Sequence, residues 1–107
     1  MTTGAARMKP RVQRHLARQL DQLRMDIIEL PEQSQNHPED YAQARSLLID
    51  ATSEAMKHSM RALTFTDRGE RDDAASEWWG FRRTIRKARM FHGFARCFNE
   101  ISTKGGD

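Results

Sequence analysis

The chain has 107 residues, of which 37% are hydrophobic and 31% charged, and its 18 Lys and Arg outweigh 15 Asp and Glu to give a net charge of +3. That length allows a single domain, residues 1–107, near the lower end of the size that buries a dependable core, while the aromatics and periodic leucines exclude a disordered chain. No apolar run approaches the ~20 residues of a membrane span, and Cys97, the sole cysteine, leaves no intrachain disulfide to form. The pI near 9.5 reflects an arginine excess on a mixed-sign surface, which permits nucleic-acid contact without demanding it.

In chain order, residues 1–9 carry no hydrophobic period and are expected to form a flexible arm. Their sequence lacks the apolar core of a signal peptide, and with the single cysteine this points to a cytoplasmic location. The first helix is predicted over 10–30. Pro10 suits its first turn, Val12, Leu16, Leu20, Leu23, Ile27 and Leu30 recur at helical spacing, and Pro31 stops it. Arg7, Lys9, Arg11, Arg14, Arg18 and Arg24 fall mostly away from the leucines and read as a solvated face.

The polar stretch from Pro31 to His37 marks a loop, and a second helix is predicted over 38–65, with Asn36 or His37 as its cap and Glu39 and Asp40 loading its positive end. Tyr41, Ala44, Leu48, Ala51, Ala55 and Ala62 line one face, with Leu47 and Leu63 flanking it. So many alanines invite a close neighbour. His58 and Ser59 lie beside the same stripe and read as interface hydrogen bonding. Between Thr64 and Ala74 a helix stop meets a helix start: Gly69 can take the left-handed backbone, and Asp67 with Glu70 has capping-box spacing. So short a turn predicts antiparallel packing.

The third helix, predicted over 70–102 before a flexible tail at 103–107, holds both tryptophans and four of the five phenylalanines. Acidic residues crowd its start and Arg82, Arg83, Arg86, Lys87, Arg89 and Arg96 follow, the order a helix dipole favours. Trp78, Phe81, Ile85 and Ala88 make one apolar stripe; Trp79, Met90, Phe94, Cys97 and Ile101 make a second on another side. Near Ala88 the apolar path shifts, so that Phe91, Phe94, Phe98 and Ile101 face a different neighbour from Trp78 and Phe81. Gly80 and Gly93 allow either a close helix crossing or a break, the latter giving a separate fourth helix from Gly93.

The fold expected is therefore all-α, a long antiparallel helical hairpin plus an N-terminal helix, forming a three-helix bundle. One helix with two faces to bury asks more surface than two neighbours supply, so completion by homodimerisation or by a foreign partner is expected. Trp78, Phe81, Ile85, Phe91, Phe94, Phe98 and Ile101 are the candidates for core or dimer packing. Trp79, Arg82, Arg83, Arg86 and Met90 combine an aromatic anchor with carboxylate donors and are the candidate partner-binding face.

No zinc or hydrolase motif, glycine-rich phosphate loop or paired-carboxylate site is present, so no catalytic residue, metal or cofactor is assigned and the chain is not expected to be an enzyme. Cys97, though beside Arg96, sits on an apolar stripe and reads as inert packing. Nucleic-acid binding is the runner-up: the arginines alternate with apolar residues near Trp79, yet no helix-turn-helix, finger or aromatic RNA-binding motif accompanies them.

Chain length, helical layout, the single cysteine and a long terminal helix bearing Trp78-Trp79 and RRTIRKAR from Arg82 to Arg89 together resemble the small antiactivators of bacterial quorum sensing. The resemblance implies a homodimer that binds the ligand-binding domain of a LuxR-type transcription factor, blocks its dimerisation and so regulates transcription. A phage-type inhibitor of a bacterial defence complex has the same helical, motif-poor character and stands as a further alternative.

Overall fold

A computed structural model describes residues 6–101; the first five residues of the expected arm and the expected tail at 103–107 lie outside them. Three helices account for nearly all of it: α1 (Pro10–Glu29), α2 (Pro38–Asp67) and α3 (Arg71–Glu100), with no strand among the described residues. α2 and α3 pack along their length as an antiparallel hairpin, and α1 lies more lightly against both. The body is a rod of 61 × 26 × 21 Å.

Each helix buries the face its sequence marks. On α1, Leu16, Leu20 and Leu23 are buried while Val12, Ile27 and Leu30 pack half-covered against the core. On α2 the small face of Tyr41, Ala44, Leu48, Ala51, Ala55 and Ala62 is buried and lets α3 approach closely enough to seat Trp78, Phe81 and Ile85. Two hydroxyls share that interface at little cost because each is satisfied locally: Thr52 donates to the Leu48 carbonyl at 2.8 Å and Thr84 to that of Gly80 at 2.8 Å.

Gly80 has a specific reason. A Cβ there would fall 2.7 Å from Cε1 of His58, so the imidazole occupies the space that any side chain would need. His58 is held there by Glu77, whose Oε2 lies 2.6 Å from Nδ1. α3 continues unbroken through both glycines, so no fourth helix starts at Gly93.

The turn between α2 and α3 differs from the expected capping box. Gly69 adopts φ +74°, its N–H bonds the Thr66 carbonyl at 3.0 Å, and the Glu70 N–H bonds the Phe65 carbonyl at 2.9 Å. This pair of bonds is a Schellman motif. It draws Asp67 into the last turn of α2, and Glu70 caps α3 without a side-chain hydrogen bond. Neither Asn36 nor His37 caps α2 with its side chain either. Asn36 instead donates to the Asn99 carbonyl, across the molecule, and the His37 ring packs on Phe98 at 5.9 Å.

That end of the bundle is a second small core of Tyr41, Ala44 and Ala95, with Leu30 and Phe98 against it. The Tyr41 hydroxyl donates to the Pro31 carbonyl, and burial pushes its phenol above the usual value of 10.0, partly offset by Arg45.

Residues 6–9 of the expected arm are docked. Met8 is buried, its carbonyl accepts from Gln13 Nε2 at 3.0 Å, and the Ala6 carbonyl accepts from Trp79 Nε1 at 2.6 Å. No hydrophobic period marks this segment because it is anchored by one buried side chain, Met8, rather than by a helical face.

Candidate partner-binding surface on the third helix

The two halves of α3 are used differently. From Ala74 to Ala88 the helix buries Trp78, Gly80, Phe81, Thr84 and Ile85 among others; beyond Ala88 only Ala95 is buried. Phe91 and Phe98 are half-covered, while Met90, Phe94 and Ile101 remain 49%, 48% and 57% exposed. With 3.6 residues per turn, Met90, Phe94, Cys97 and Ile101 fall in one narrow stripe, directly across the helix from Phe81 and Ala88. Neither α1 nor α2 buries it. Covering the exposed part of each large side chain would contribute roughly 1 kcal/mol.

The residues expected to pack therefore divide. Trp78, Phe81 and Ile85 go to the main core and Phe91 to its edge, Phe98 to the edge of the smaller core, and Phe94 and Ile101 to the outer stripe. Cys97, expected to be packed, is exposed on that stripe.

The residues expected to bind a partner divide as well. Trp79 is half-buried: its indole N–H is donated to Ala6, its ring packs against the main core, and the half-buried Arg82 guanidinium lies 5.3 Å from the ring centroid, at cation–π distance. This pair is engaged within the chain. Arg83, Arg86 and Met90 are exposed and contiguous with the outer stripe. Lys87, Arg89 and Arg96 are exposed beside them, and from residue 83 to residue 101 the only carboxylate is Glu100, 3.4 Å from Arg96. The outer face of α3 is thus apolar along its centre and basic at its margins.

Gly93 lies beside the stripe, exposed, and a Cβ added there would meet nothing within 4 Å. Unlike Gly80, it serves no contact inside the chain, although glycine costs about 1 kcal/mol relative to alanine within a helix.

A second exposed stripe includes Leu63, expected only to flank the alanine face of α2, and two methionines that the sequence pattern did not single out. Met56, Met60 and Leu63 on α2 are 37%, 65% and 55% exposed and stand one helical turn apart. Their spacing was the available signal, masked by the alanine-rich face beside it. Charges around them, Glu54, Lys57 and Arg61, are of both signs.

The remaining polar groups hold helices together. His58 and Glu77 join α2 to α3, with Arg61 3.8 Å from the same carboxylate, and His92 Nδ1 faces Asp26 Oδ2 at 3.9 Å between α3 and α1. Among the described residues no group of three His, Cys, Asp or Glu is placed to hold a metal ion, and no helix is long and apolar enough to cross a membrane. Compared with known proteins, the chain matches no family model, no curated protein and no solved structure, so the roles of its residues rest on the geometry above.

Proposed function

We propose that this chain is a regulatory protein-binding module that acts by stoichiometric capture, with the outer face of α3 as the capturing surface. The observation that carries the reading is the exposed stripe of Met90, Phe94, Cys97 and Ile101, bordered by Arg83 and Arg86, which neither α1 nor α2 buries. Apolar centres with arginine margins are the composition of interface hot spots. Nucleic acid explains less: phosphates engage arginines but leave Met90, Phe94 and Ile101 in water.

The resemblance to quorum-sensing antiactivators supplies the candidate partner, the ligand-binding domain of a LuxR-type transcription factor. Capture of the monomer opposes the factor's dimerisation by mass action and needs no catalytic step. Homodimerisation is assigned to α2, where Met56, Met60 and Leu63 lie among charges of both signs and a second copy meets no excess of like charge.

The test mixes the purified chain with the ligand-binding domain of a LuxR-type factor and, separately, with the whole factor on its operator. The expected result is a stoichiometric complex and release of the operator, both weakened by Phe94→Asp and by Arg86→Glu while the helical circular dichroism persists. No complex and an undisturbed operator would remove the LuxR-type partner. Retention of the chain on random duplex, falling steeply with salt, would replace protein capture by nucleic-acid binding.

A further inference from the structure

Residues four apart on a helix form rows, and packing sets the ridges of one helix into the grooves of the next. On the outer side of α3 the row Arg86, Met90, Phe94 is a ridge of large side chains. The adjacent row passes through Gly93 and Cys97, both small and both exposed, and the row beyond it carries Arg96. A notch results, floored by Gly93 and Cys97, apolar on one wall and basic on the other. It opens on its α1 side into a cleft of about 360 Å³ that Arg89, Gly93 and Arg96 line together with Gln19, Gln22 and the facing pair Asp26 and His92.

Gly93 has open space where its side chain would stand, in contrast to Gly80, whose missing Cβ makes room for His58. An exposed helical glycine weakens the helix and brings its own chain nothing in return. What it permits is the close approach of another backbone from outside.

We infer that this notch receives an amphipathic acidic helix of a foreign protein. Its backbone crosses α3 at Gly93, its apolar edge covers Met90 and Phe94, and its carboxylates pair with Arg89 and Arg96. The inference rests on the protein-binding reading above and names the chemistry of the partner segment. Charge selects this occupant over a second copy: α3 presents Arg83, Arg86, Lys87, Arg89 and Arg96 against Glu100, while Asp26 across the cleft faces His92 at 3.9 Å, so the excess is basic and two such faces set together repel. Arg96 is free to exchange partners, because its bond to Glu100 is an exposed surface pair at 3.4 Å.

The experiment selects binders to the full chain from a display library of helical peptides randomised in charge, and uses Cys97, the chain's single thiol, as a reporter of coverage by maleimide labelling. Selected peptides are expected to be acidic, with a small residue at the crossing point. They should lose about tenfold in affinity against Gly93→Gln and against the double variant Arg89→Glu, Arg96→Glu, and slow the labelling of Cys97 severalfold when bound. Because Gly93 faces open space, Gly93→Gln keeps its fold, which an unchanged melting transition verifies. Neutral or basic winners, or acidic winners indifferent to Gly93→Gln, overturn the inference. So does protection of Cys97 that grows with the concentration of the chain alone, which would seat a second copy in the notch. Either failure leaves the LuxR-type capture assay to stand or fall independently, and loss of capture there with acidic winners still binding here would remove only the assigned partner.

Discussion

Gly80 and Gly93 stand in one helix and answer to different neighbours. At Gly80 the missing side chain is filled by the His58 ring, which is itself fastened to Glu77; at Gly93 nothing from the chain comes within 4 Å of where a Cβ would be. The same contrast separates the phenylalanines: Phe81 is fully buried and Phe94 is 48% exposed. The first half of α3 is finished by its own chain, and the second half is covered on its inner side but bare along Met90, Phe94 and Ile101. Interior packing and an uncovered apolar surface thus share one helix, divided near Ala88, and the same residue types are buried on one side of that division and exposed on the other.

The sharpest way to break this division is to truncate the two phenylalanines. Phe81→Ala opens a cavity between α2 and α3 and should cost about 3–5 kcal/mol, enough to threaten the fold of a chain this small. Phe94→Ala removes a side chain whose outer half already lies in water, and should change stability by no more than about 0.5 kcal/mol. Urea unfolding followed by circular dichroism measures both. Equal losses would mean that Phe94 belongs to the core and that the second half of α3 is closed.

The glycines give the next largest effect, with opposite signs. Gly80→Ala drives a methyl group to 2.7 Å from the His58 ring and must displace it from Glu77, a change that should destabilise by about 1–3 kcal/mol. Gly93→Ala adds helix propensity in open space and should stabilise by up to about 1 kcal/mol. Thermal melts of the two variants side by side decide it. A Gly93→Ala chain that melts below the parent would show a contact that the isolated protein makes at that position.

Much of this was legible in the sequence because it is local. The leucines of α1 and the alanine face of α2 declare themselves by period, and the acid-then-base order of α3 by dipole logic. Gly69 declared its positive φ because the turn is short. What stayed hidden depends on residues far apart. Asn36 looked like a helix cap but is taken by the Asn99 carbonyl, and a residue bonded across the bundle leaves no trace in its own neighbourhood. Asp67 and Glu70 had capping-box spacing, yet the two Schellman bonds extend α2 through Asp67 and remove it from that role. The candidate surface was half visible: Met90, Phe94, Cys97 and Ile101 share a stripe by arithmetic. Only the placement of α1 and α2 shows that this stripe is the bare one, and only the docking of residues 6–9 shows that Trp79 faces inward.

Trp79 tests where that boundary lies, with the smallest effect. Its indole N–H bonds the Ala6 carbonyl at 2.6 Å, and Arg82 lies against its ring, so the residue ties the N-terminal strap to α3. Trp79→Phe keeps an aromatic ring for the core and for Arg82 but deletes the donor. Ala6 is exposed, so water replaces the lost bond, and the change should cost only about 0.5 kcal/mol. Its clearer mark is local: with one fastening gone, Met8 leaves its buried site more often, and limited trypsin digestion after Arg7 should quicken while global unfolding barely moves. The same substitution should leave partner capture by the outer stripe unchanged, because Trp79 is already occupied within the chain. A large loss of capture with an unaltered cleavage rate would return Trp79 to the surface and shift the binding face toward the start of α3.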